Sequence, residues 1–194
     1  MAFKKPKDYE EVRLSEYRIL PAGGYVCKIL RAEETTSSTN KAMLKVAFDI
    51  SEGDFAGYFK EMFDGWKASS DEPKSVKWPF TGTKWILFLD NEGKTNRDFK
   101  SFCTSLEDSG TEVWVNDIFN LNALKNAEIG IIFRREEQEY HNERKWRTVP
   151  CWFRSADSIR GGDYTIPDDK PLAPKVSTYE LTDNFSAAED DIPF

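Results

Sequence analysis

Leu44, Val46, Phe48 and Ile50 are apolar, and Lys45, Ala47 and Asp49 stand between them. A period of two puts successive side chains on opposite faces, so this stretch reads as a half-buried strand. Residues 25–32 read as the strand before it, opened by the turn signal Pro21-Ala22-Gly23-Gly24. Residues 57–63 read as a third strand and residues 84–90 as a short extended run. The period then changes. Phe99, Phe102, Cys103 and Leu106 fall at i, i+3, i+4 and i+7, one stripe of a helix over 95–109. Thr95 or Asn96 can cap it and Gly110 can end it. A short helical turn is expected near 116–123. Ile129, Ile131 and Phe133 alternate again in a strand over 128–135, with its partner over 144–154 and a polar loop, 136–143, between them.

Five short strands with a helix between the third and fourth predict a mostly β fold, an OB-fold-like five-stranded barrel, and a different small β-barrel or an α+β domain would show much the same pattern. The barrel would occupy residues 21–160, after an N-terminal arm (1–20). Beyond Gly161-Gly162, residues 161–194 contain Pro167, Pro171 and Pro174 among polar residues, too few apolar groups to fold alone.

The chain of 194 residues suffices for one buried core. It holds no run long and apolar enough for a membrane-spanning helix, and no apolar segment follows Lys4, Lys5 and Lys7, so a secretory signal is not expected. Cys27, Cys103 and Cys151 lie far apart, which argues against a disulfide framework or a zinc site. The expectation is a reduced, cytoplasmic protein without cofactor or metal. The net charge is −7, and residues 164–194 hold seven acids against two lysines. The body is therefore close to neutral and has room for a local basic surface.

Catalytic signals are sparse. His141 is the sole histidine and falls in a polar stretch, and no phosphate-binding glycine loop or nucleophile elbow occurs. A two-metal site needs carboxylates converging from strands, and Asp49 and Glu61 are the only candidates. The expectation is a protein that is not an enzyme. A binding surface is better represented. Arg144, Lys145, Arg147 and Arg154 interleave with Trp146 and Trp152, with Arg134 and Arg135 on the preceding strand and Tyr140 between them. Cations follow a phosphate backbone and aromatic faces stack on unpaired bases. Lys45 and Lys60 extend this candidate DNA-binding set along the second and third strands, and Trp66 joins it from the irregular connection. The same pattern also fits a hairpin with its aromatics in the core and its arginines in water. Glu136, Glu137, Glu139 and Glu143 dilute the positive field.

The chain ends Glu189, Asp190, Asp191, Ile192, Pro193, Phe194: acids leading into a proline-fixed apolar end. Such an end can seat its ring in a pocket while a basic rim meets the acids. It resembles the acidic tip of bacterial single-stranded DNA-binding proteins, matching at Asp190, Asp191, Ile192, Pro193 and Phe194, with Glu189 where that family more often has Asp. The body lacks that family's Gln- and Gly-rich linker. It is more similar to the single-stranded DNA-binding proteins of bacteriophages, at Pro21 to Tyr25, Leu44 to Ile50 with Gly53 and Gly57, Phe99 to Leu106, and Ile129 to Phe133. The resemblance covers roughly residues 20–155 as a pattern and places no catalytic residue. It implies a sequence-nonspecific body that coats single strands in replication, recombination or repair. It implies a tip, residues 190–194, that recruits partner enzymes, and it leaves a homo-oligomer open. The alternative is a protein–protein adaptor that mimics the tip to bind or block such enzymes, with the body as scaffold.

Overall fold

The structure, a computed structural model, describes residues 18–173. A five-stranded antiparallel sheet carries the fold: β1 (Gly23–Thr36), β2 (Ala42–Ile50), β3 (Thr83–Leu87), β6 (Glu128–Tyr140) and β7 (Glu143–Arg154), in the order β3-β2-β1-β6-β7. Three helices join it: α1 (Tyr58–Ala68), α2 (Arg97–Glu107) and α3 (Ala156–Arg160). A two-stranded hairpin, β4 (Trp114–Val115) with β5 (Ile118–Phe119), lies between α2 and β6. No described helix is long and apolar enough to cross a membrane.

The expected alternation of β2 is present, with Leu44, Val46, Phe48 and Ile50 in the core. They meet Cys27 and Ile29 of β1, Ile129, Ile131 and Phe133 of β6, and Phe153 of β7. The α2 stripe closes the core with Phe99, Phe102, Cys103 and Leu106, and Asn96 caps that helix by accepting from the Asp98 N–H at 2.8 Å. A smaller cluster covers the sheet's other face, where Ala156 and Ile159 of α3 and the Tyr164 ring meet Val26 and Ile132. The glycines at 24 and 130 make room for it. A Cβ on Gly130 would stand 2.5 Å from Ile159 and 2.6 Å from the Ser155 carbonyl.

Three expected elements are corrected. Residues 57–63 do not form a strand but open α1, because Phe59, Met62, Phe63 and Trp66 repeat with helical spacing. Gly57, at φ 77, turns the chain into the helix. Its own cap position makes no side-chain bond, and Asp49 of β2 supplies one instead: Oδ1 accepts from Phe59 N at 2.9 Å and Oδ2 from Lys60 N at 3.2 Å. The third strand of the sheet is therefore β3. Residues 136–143 are not a loop. β6 and β7 continue as a ladder to Tyr140 and Glu143, and only His141 and Asn142 turn, both at positive φ, as a tight two-residue hairpin requires. At 116–123, Asn116 and Asp117 make the β4–β5 turn, and the helical turn is a single 3-10 turn at Leu121–Leu124.

The expected barrel is not closed. β3 and β7 are the edge strands of the sheet. The Lys84 ammonium reaches from β3 to β7, donating to the carbonyls of Pro150 at 3.2 Å and Cys151 at 3.3 Å. Beyond its pairing with β1, β6 has a free edge, and residues 168–173 lie along it. Lys170 N donates to Arg135 O and Glu137 N donates to Lys170 O, both at 2.9 Å.

Candidate nucleic-acid interface

Among the candidate aromatics, the fold brings Trp66 and Trp146 together. Trp66 comes from α1 and Trp146 from β7, and both line a cleft of about 330 Å3 floored by Leu20, Tyr58 and Met62. Arg147 and Thr148 form its β7 wall, and Phe80, from the 3-10 turn at Phe80–Gly82, closes its far side. A second cleft of about 540 Å3 begins at the same Phe80 and lies on the outer face of β1–β2–β3. Arg31, Glu33, Lys45 and Trp85 are in it, with Phe63 and Trp78 along one side. Cross-strand pairing explains the set: Lys45 stands opposite both Glu33 on β1 and Trp85 on β3. The rings of Phe80 and Trp85 are 5.0 Å apart and tilted by 33°.

Four large rings therefore follow one another along two joined clefts, and all are substantially in water: Trp146 42%, Trp66 40%, Phe80 60% and Trp85 37% exposed. Trp78 is held differently. Its indole N–H donates to Gly82 O at 3.0 Å, which fixes the turn that presents Phe80.

Most of the candidate cations are tied to carboxylates. Lys45 meets Glu33 at 3.1 Å and Arg31 meets it at 2.7 Å. The Lys45 hydrogen bond, together with the Arg31 charge, holds the Glu33 carboxyl below its usual range. Arg134 meets Glu136 at 2.5 Å, Lys145 meets Glu143 at 2.6 Å and Arg144 approaches Glu137 at 3.8 Å. Arg135 lies over the Trp146 ring, 5.0 Å from its centroid, and 3.4 Å from Asp169. Lys60 is on α1, not on a third strand, and pairs with Asp64 one turn on. Among the described residues, Arg147 of the first cleft and Lys77 of the second have no ion pair to an acid.

The remaining candidates lie elsewhere. Tyr140 is the last residue of β6, exposed, with its ring against His141 at 4.1 Å. Trp152 and Arg154 line a different depression, with Arg97, Asp98 and Ser101 of α2. Residues 190–194 lie outside the described residues. The weak nuclease candidates do not converge. Asp49 anchors α1, Glu61 faces Arg18 at 3.8 Å, and no group of three metal-binding side chains occurs among the described residues.

Sequence reasoning missed Phe80 and Trp85 as site residues. Lys84 sits on the core side of β3, next to Trp85, so the segment reads as an apolar run rather than as an alternation that exposes Trp85. The available signal was Trp78-Pro79-Phe80, two rings around a proline that cannot continue a regular ladder. No known family and no curated protein matches this chain.

Proposed function

We propose that the protein binds single-stranded DNA without sequence preference and serves replication, recombination or repair in the cytoplasm of a bacterial host. Its C-terminal residues 190–194 recruit partner enzymes. One observation carries the reading: the partly exposed rings of Trp146, Trp66, Phe80 and Trp85 line two clefts that share Phe80. Scattered exposed apolar residues need no explanation, but a rimmed row of rings marks a binding surface. Every base has a π-face, so such a row accepts any sequence, at about 1–3 kcal/mol per stacked base. We read the sheet as a partly open OB-like barrel. In that plan the face of the second and third strands and the loops at its rim hold oligonucleotides. The second cleft lies on the β2–β3 face, and the β6–β7 hairpin stands where the last of those loops would be.

Fluorescence anisotropy of a labelled 30-mer single strand, beside its duplex and across a salt series, tests the reading. Single-strand binding that spares the duplex and weakens with salt is expected. Absence of binding at low salt overturns it and leaves the adaptor reading of the tip.

A further inference from the structure

We propose that Arg97 and Arg154 form a phosphate anchor for the bound strand, separate from the stacking path and at the opposite end of β7. The inference rests on the single-strand reading above and adds a second contact site to it.

The ion-pair pattern leads there. Along the aromatic path, Arg31 and Lys45 share the Glu33 carboxylate and Arg135 and Arg144 meet Asp169 and Glu137, which leaves, among the described residues, Arg147 in one cleft and Lys77 in the other as unpaired cations that do not share a site. A depression of about 240 Å3 between β7 and α2 differs. Arg97 and Arg154 both line it, and among the described residues neither forms an ion pair with a carboxylate. Arg154 uses one nitrogen on the Phe153 carbonyl, at 2.8 Å, and keeps the rest of its donor fork. The half-exposed Trp152 indole stands beside them, and Ser101 adds a hydroxyl. Two guanidiniums, a hydroxyl and an aromatic face suit a nucleotide: the fork meets phosphate oxygens and the ring meets the base. Asp98 is the one opposing charge in the depression.

Trp146 and Trp152 are six residues apart on one strand, which is about 20 Å. A strand several nucleotides long can touch both places, whereas a dinucleotide cannot. The two contacts contribute different physics. Phosphate neutralisation releases counterions and sets the salt dependence, at about 0.7 in the log–log slope per phosphate on a single strand. Stacking contributes affinity that salt hardly changes.

The test measures the affinity of the full chain for a 30-mer of deoxythymidine across a salt series. The variants are Arg97→Ala/Arg154→Ala, Arg147→Ala/Lys77→Ala and Trp85→Ala. The anchor variant should flatten the slope by about 1.4, two phosphates' worth. Trp85→Ala should weaken binding at least 5-fold at an unchanged slope. Arg97→Lys/Arg154→Lys should keep the slope, and Asp98→Asn should tighten binding at low salt. An unchanged slope in a folded anchor variant, or a slope lost only with Arg147 and Lys77, overturns the anchor while leaving single-strand binding intact. A wild-type chain that binds no single strand overturns the functional reading first, and the anchor with it.

Discussion

The Asp49 carboxylate of β2 accepts the Phe59 backbone N–H of α1 at 2.9 Å, so the sheet itself caps the helix that carries Trp66. The same oxygen takes Ile50 N, also at 2.9 Å. Asp49→Ala should therefore cost about 0.5–2 kcal/mol in denaturant unfolding, the usual range for a lost helix cap. Burial pushes this carboxyl above its ordinary 3.8, against the lowering effect of the three backbone donors. An acid whose folded value is raised contributes most below its unfolded value and loses that contribution as pH rises through the folded one. Asp49→Asn keeps an acceptor for Phe59 and carries no charge. Its deficit relative to wild type should shrink as pH rises from about 3.8 toward neutrality. A deficit that grows over that range would show that the carboxylate is favoured by the fold.

Gly130 is the point where α3 and the chain leading into it come closest to β6. Its added Cβ would meet Ile159, the Ser155 carbonyl and, at 2.9 Å, the Arg154 carbonyl. Two of these are backbone atoms, which cannot rotate away. Gly130→Ala should destabilise by about 1–3 kcal/mol, as overpacking does, and loosen α3. Gly93→Ala is the control. It has the left-handed strain of φ 77 but open space around it, so its cost should be about 1 kcal/mol.

Burial, with smaller contributions from Tyr164 and Tyr58, pushes the Tyr25 phenol up to about 12. Its hydroxyl donates to Pro21 O at 3.0 Å, and its ring meets Phe133 edge-on. The neutral phenol is the form the fold favours, so its contribution is complete below the ordinary value of 10.0. That contribution disappears as pH rises from there to about 12. Denaturant midpoints of wild type should fall over this range. Tyr25→Phe should start about 1 kcal/mol lower, for the lost hydrogen bond, and fall less steeply.

How much of this could be read from the chain depends on the range of the interaction. The β2 alternation, the α2 stripe and its Asn96 cap are local patterns, and each is where the periodicity puts it. α1 was misread because its start lies next to a strand in sequence and its cap comes from Asp49, ten residues before Phe59. The aromatic path needs contacts still further apart. Trp146 shares a cleft with Trp66 and Phe80 because β7 returns beside the 3-10 turn at Phe80–Gly82. The basic hairpin was legible as composition. Its neutralisation is mostly local, Arg134 with Glu136 and Lys145 with Glu143, each pair two residues apart on one strand, and the cross-strand approach of Arg144 to Glu137 depends on the register of the ladder.

On the proposed function, Phe194→Ala should abolish capture of partner enzymes and leave single-strand affinity intact or slightly tighter. The acidic residues that precede Phe194 compete for the same cations as the phosphates do. Affinity pulldown with wild-type and variant chains, each also titrated with the 30-mer, separates the two effects. A loss of single-strand affinity in Phe194→Ala would contradict the assignment of separate roles to tip and body.

The four rings of the aromatic path should not be equal. Phe80 is the most exposed of them and the only one that lines both clefts, so a base passing between the clefts must cross it. Trp146 already has the Arg135 guanidinium over its ring, and stacking a base there competes with that contact. Phe80→Ala and Trp85→Ala should each weaken binding of the 30-mer by about 1–3 kcal/mol, the range for one stacked base. Trp146→Ala should lie at the low end of that range. Thermal unfolding separates the binding role from a packing role. Phe80 is 60% exposed and packs on Trp85 at the surface, so Phe80→Ala should leave the melting temperature nearly unchanged. Phe59 stacks on Phe133 at 6.1 Å inside the core, and Phe59→Ala should cost about 3–5 kcal/mol of stability. If Phe80→Ala and Trp85→Ala bind the 30-mer as wild type does, the path is packing and not an interface.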